Sequence, residues 1–60
     1  MNAQPSPIEH AAVLIDACQD DVQAARGQAR INYLYAQTDA DAVYWFNVLQ
    51  ALSVRDAAQA

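Results

Sequence analysis

Proline stands at positions 5 and 7 and nowhere beyond. Nothing after Pro7 therefore forbids helix, and from Ile8 onward small and apolar residues recur at steps of three and four. Ile8, Ala11, Ile15, Cys18, Val22, Ala25 and Ala29 form an unbroken heptad-like row that reaches Tyr33 and Ala36 after a four-residue shift. The row opens on a start signal. Ser6 is placed to cap, Pro7 takes the first helical position and Glu9 the third, which is the pattern of a capping box. Residues from there to Gln37 are mostly good helix formers, so the sequence predicts one long helix over about residues 7–37, roughly 45 Å from end to end. Its weak point is Gly27, where glycine costs about 1 kcal/mol relative to alanine and marks the expected place for any kink or break. Glu9, Asp16, Asp20 and Asp21 precede Arg26 and Arg30, the polarity that complements a helix dipole.

Thr38-Asp39-Ala40-Asp41 supplies a second start, with Thr38 or Asp39 as cap and Asp41 in the first turn. A second helix is expected over about 39–58. Two helices joined by a few residues make an antiparallel αα-hairpin. The fold class is therefore all-α, with a single helical hairpin domain over residues 6–60 and a disordered N-terminal tail over residues 1–5. In the second helix Ala42, Trp45, Leu49 and Leu52 form the row that faces the first, with Phe46 and Val48 on its shoulders. The expected core, of the hairpin or of an oligomer built from it, comprises Ile8, Ile15, Cys18, Val22 and Tyr33 from the first helix. Trp45, Phe46, Leu49 and Leu52 complete it from the second.

All five aromatic side chains fall between Tyr33 and Phe46, and Tyr44, Trp45 and Phe46 are consecutive. At about 100° per residue these three fan across roughly 200°, more than one facing helix can cover. Ile31, Leu34 and Tyr35 fall away from the first row, and Val43 and Val54 lie opposite Trp45. Gathered near one hairpin tip, such residues point to a surface covered by another chain. The expected partner-binding set is Ile31, Leu34, Tyr35 and Tyr44. A homodimeric four-helix bundle offers the needed cover as well. Sixty residues bury a small core, so an oligomer, with a dimer favoured, is the natural source of extra stability.

One cysteine allows no internal disulfide, and with one histidine it does not make a tetrahedral metal site. His10 and Cys18 lie two helical turns apart, about 12 Å along the axis, which is too far for a base and its nucleophile. Asp16, Asp20 and Asp21 lack the loop pattern of a calcium site. No enzymatic activity, cofactor or metal is expected. A net charge of −4 with only Arg26, Arg30 and Arg55 as cations excludes the basic patches that nucleic acids and anionic membranes require. The start MNAQPSPIEH has neither the charged segment nor the apolar run of a signal peptide, so a cytoplasmic setting with Cys18 as a free thiol is expected. Arginine without lysine in an alanine-rich chain fits a GC-rich bacterial or phage genome. The functional expectation is a small acidic protein-binding module, a regulator, inhibitor or adaptor, acting on another protein through an apolar and aromatic helical surface. Two alternatives stand beside it. One is a co-chaperone or assembly subunit whose alanine-rich seam receives a client helix, similar to type III secretion co-chaperones in architecture alone. The other is an acidic nucleic-acid mimic presenting Glu9, Asp16 and Asp20.

Overall fold

A computed structural model describes residues 4–59, which hold three helices in sequence: α1 (Pro7–Ala17), α2 (Val22–Leu34) and α3 (Asp39–Gln59). There is no strand among the described residues. Residues 1–3 of the expected tail, and Ala60 of the expected domain, lie outside them. Gln4 and Pro5 are in neither helix nor strand, and the Pro5 carbonyl is held by the Tyr44 hydroxyl at 2.7 Å. That end of the tail is tied to the fold.

The all-α class stands, but the two-helix hairpin does not: the long helix expected over 7–37 is two helices. The break falls at Cys18–Asp21 and not at Gly27. Cys18 closes α1, Gln19 and Asp20 take left-handed backbone angles (φ 58° and 65°), and Asp21 caps α2. Local hydrogen bonds account for its position. The Asp20 N–H donates to the Ile15 carbonyl at 2.8 Å and the Gln19 N–H to the Asp16 carbonyl at 3.1 Å, the paired bonds of a Schellman ending. The Asp21 carboxylate accepts from the Ala24 N–H at 3.1 Å, a cap worth about 1 kcal/mol. An aspartate pair in a helix interior competes for backbone donors, and Asp16 with Asp20 would be a like-charge i,i+4 pair there. Left-handed geometry at two non-glycine residues costs about 1–2 kcal/mol each. Tertiary packing offsets that cost, because α1 can then fold back so that α1 and α2 both pack on α3 and on each other.

The other start signals act as expected. The Ser6 hydroxyl oxygen accepts from the Glu9 N–H at 3.2 Å. Its proton goes to the Glu9 carboxylate at 3.1 Å. Thr38 caps α3, its Oγ1 accepting from the Asp41 N–H at 3.1 Å. Helix α2 runs antiparallel to α3, since Gln23 and Arg26 near its start reach Asp56 while Tyr33 near its end packs on Phe46.

The core is narrow and made of small residues. Ala11 and Ile15 of α1, Val22, Ala25 and Ala29 of α2, and Val48 and Leu52 of α3 are buried, with Leu14, Cys18, Tyr44, Trp45, Leu49 and Ala51 packed around them. Every α1 and α2 member of the buried set belongs to the row read from the sequence. Val48 and Leu52 are fully enclosed, each worth about 1.5–3 kcal/mol of apolar burial. Helix α3 is turned toward Val48, which the sequence places on a shoulder, because its buried face must be wide enough to cover two helices.

Candidate interaction surface

The three consecutive rings are distributed between two helices of the same chain. Tyr44 and Trp45 meet His10 of α1, with ring centroids 5.7 and 4.9 Å away, and stand edge to face with each other at 5.4 Å. Phe46 turns the other way, toward Tyr33 of α2, at 6.5 Å. The break at Cys18–Asp21 thus supplies a second wall for the fan, which a hairpin lacks.

Tyr44, expected in the partner-binding set, has its hydroxyl engaged within the chain. Its hydroxyl proton goes to the Pro5 carbonyl at 2.7 Å, so the bond of 2.7 Å between its oxygen and His10 Nδ1 takes its proton from the imidazole. Burial, with the Glu9 carboxylate as the lesser cause, raises the Tyr44 pKa above that of an ordinary tyrosine. The neutral hydroxyl is favoured in the fold, and the stability this gives is complete below the unfolded tyrosine's pKa and is lost as pH rises through the raised one. His10 is a packing and hydrogen-bonding centre, touching both Tyr44 and Trp45. Cys18 is a half-buried free thiol at the end of α1. No group of three or more histidine, cysteine or acidic side chains is arranged to hold a metal ion among the described residues. Nor is any helix of the described residues long and apolar enough to cross a membrane.

Of the residues expected in a core, Ile15, Val22 and Leu52 are buried, and Cys18, Trp45 and Leu49 pack against them. Ile8, Tyr33 and Phe46 are not in this chain's own core. Tyr33 and Phe46 cover each other at the rim, and Ile8 is 68% exposed. Ala11 and Ile15 are the buried residues of α1, while its first turn lies beside an open groove. That groove, of about 400 Å³, lies between Pro7 and Ile8 on one side and Ala51 and Val54 on the other, with Asn47 and Gln50 at its edge.

The outer face of α2 is as the sequence places it. Ile31, Leu34 and Tyr35 point away from Val22, Ala25 and Ala29 and are 50, 66 and 79% exposed. Beside them a second groove of about 240 Å³ runs between α2 and α3, walled by Gln23, Arg26, Gly27, Arg30 and Leu49. Arg26 reaches the Asp56 carboxylate at 3.5 Å, and Gln23 donates to the same oxygen at 3.2 Å. Both side chains are partly exposed, so the worth of the pair is about 0–1 kcal/mol. Gly27 and Arg30 are absent from the expected binding set, although the spacing 27, 30, 31, 34 places both on one helical face with Ile31 and Leu34.

Comparison of the chain with protein-family models, with curated proteins and with solved structures finds no match.

Proposed function

We propose that the chain is a small acidic protein-binding module, a regulator, inhibitor or adaptor and not an enzyme, that self-associates and holds another protein through the outer face of α2. The observation that carries this reading is the exposure of Ile31, Leu34 and Tyr35 together at one end of a helix whose opposite face is closed by the core. Single apolar residues on a surface are ordinary, but apolar residues exposed together are the usual mark of an interaction site. The homo-oligomer, with a dimer favoured, draws on the other open surface, where Ile8 and Val54 face each other across a groove. A cytoplasmic location belongs to the same reading. The co-chaperone alternative is less well supported, because the alanine seam that would receive a client helix is already filled by Val48 and Leu52 of α3. The nucleic-acid mimic rests on Glu9, Asp16 and Asp20 alone.

Capture of partners from the native host with wild-type, Leu34→Ser and Tyr35→Ser proteins tests the reading. Each substitution is expected to weaken partner binding by about 1–3 kcal/mol while the circular dichroism of the chain stays unchanged. Normal binding by both variants, with loss on neutralising Glu9, Asp16 and Asp20, would transfer the function to the acidic face. Self-association predicts a thermal midpoint that rises with protein concentration. A midpoint independent of concentration, with a monomer in sedimentation, would remove the oligomer from the proposal.

A further inference from the structure

Gly27 is the only glycine in the chain, and it lies in the middle of α2. Glycine is a poorer helix residue than the alanine this chain uses so freely. Nothing inside the fold requires it. Its backbone φ is not positive, and a Cβ built at this position meets no atom within 4 Å. The one thing a missing side chain provides there is space on the outside of the helix, which is how glycine admits a second backbone at close range.

The surroundings say what kind of backbone. Gly27 forms a wall of the groove between α2 and α3, opposite Leu49 and between Arg26 and Arg30. Arg26 is engaged by Asp56, whereas Arg30 makes no ion pair among the described residues. In a chain of net charge −4, α2 carries two of the three arginines and no carboxylate. Ile31 and Leu34 continue the same face and are exposed. Space, an uncommitted guanidinium and aliphatic contacts therefore lie within two helical turns. A guanidinium beside apolar surface selects a carboxylate beside apolar side chains.

We propose that this groove seats an acidic amphipathic helix of a partner protein. Its backbone passes over Gly27, its apolar side chains lie on Ile31, Leu34 and Leu49, and one carboxylate pairs with Arg30. The proposal rests on the reading of the α2 outer face as the binding surface and adds the chemistry of the occupant. A second copy is a poorer fit. The acidic and apolar helical faces on this chain, Glu9, Val13 and Asp16 of α1 and Asp39, Val43 and Phe46 of α3, would each have to join a different surface to a neighbour's α2 groove, a contact that leaves an open-ended chain of copies unless its rotation closes into a ring.

The test is an NMR titration of the full-length protein, labelled with ¹⁵N, using two synthetic helical peptides. Both carry leucines at three- and four-residue steps; one has glutamates flanking the leucines, the other lysines at the same places. The glutamate peptide is expected to shift the amides of Gly27, Arg30, Leu34 and Leu49, with an affinity that falls as salt rises, and the lysine peptide to leave them in place. Arg30→Glu should weaken the glutamate peptide at least about tenfold and create binding of the lysine peptide. Gly27→Leu should abolish glutamate-peptide binding with helicity retained, since the added side chain projects into the groove. Equal binding of the two peptides, or an unaltered preference in Arg30→Glu, would overturn the acidic occupant. Shifts centred on Ile8, Ala51 and Val54 would overturn the groove itself. Concentration-dependent shifts at Gly27 and Arg30 in the protein alone would give the groove to a second copy and overturn the partner. If Leu34→Ser lowers partner capture while Arg30→Glu does not, the α2 surface stands and the acidic occupant falls; normal capture by Leu34→Ser and Tyr35→Ser removes the surface on which the occupant was placed.

Discussion

Two short stretches compete to interrupt the first half of the chain, and the one without glycine does so. Gly27 sits inside α2 in ordinary helical geometry, with open space beyond its α-carbon. Gln19 and Asp20, eight and seven residues earlier, take the left-handed conformation that glycine adopts at least cost. The difference shows that helix propensity did not choose the break. Propensity at Gly27 differs from alanine by about 1 kcal/mol, which is less than the combined worth of the Asp21 cap, the Schellman bonds and the packing of two helices on α3.

The largest effect should come from removing the packing that makes the break favourable. Leu52 is fully enclosed where α3 meets the other two helices. Leu52→Ala should cost about 2–5 kcal/mol, a large part of the stability of a domain this small, with the urea midpoint as the measure. A loss under about 1 kcal/mol would mean that α3 does not hold the other two helices together.

Next is the cap. Asp21→Ala removes the acceptor of the Ala24 N–H and should cost about 1 kcal/mol, with Asp21→Asn recovering most of it. An unchanged midpoint in Asp21→Ala would show that α2 does not depend on a fixed start there, and the contrast with Gly27 would lose its main local cause.

The contrast can then be sharpened by moving the glycine. Gln19→Gly should stabilise by up to about 1 kcal/mol, as relief of the left-handed strain exceeds the added freedom of the unfolded chain. Gly27→Ala should stabilise by about 0.5–1 kcal/mol for the opposite reason, since helix is the native conformation there and no neighbour obstructs the new methyl group. The two sites lie in different elements, so their effects should add within about 0.5 kcal/mol in the double variant. Destabilisation by Gln19→Gly would show that the turn is not strained. Destabilisation by Gly27→Ala would show that the methyl group meets something, a second copy of the chain being the obvious source.

The sequence alone determined the helical class, a capped start at Ser6 and another at Thr38 or Asp39, and the inward placement of Ala11, Ile15, Val22, Ala25 and Ala29. Each of these follows from local chemistry: a hydroxyl within reach of an N–H three residues on, or a spacing of three and four that one helix face must carry. The outward placement of Ile31, Leu34 and Tyr35 was legible for the same reason, because the period that buries Val22, Ala25 and Ala29 leaves those three on the other side. The division of the long helix was not legible in the row itself, since Ala11, Ile15, Val22, Ala25 and Ala29 keep one face across the break. Only tertiary structure decided it. A helix of about 31 residues would extend roughly 45 Å against an α3 of roughly 31 Å, leaving much of its apolar row without cover. The folded chain spans 33 Å in its longest dimension, which is what returning α1 across α3 achieves. That return turned α3 toward Val48, gave Tyr44 to His10 and Pro5, and left Phe46 with Tyr33. It also left Ile8 at the edge of a groove. None of these pairings is local in sequence. They depend on where two helices come to rest on a third, which side-chain spacing within any one helix does not specify.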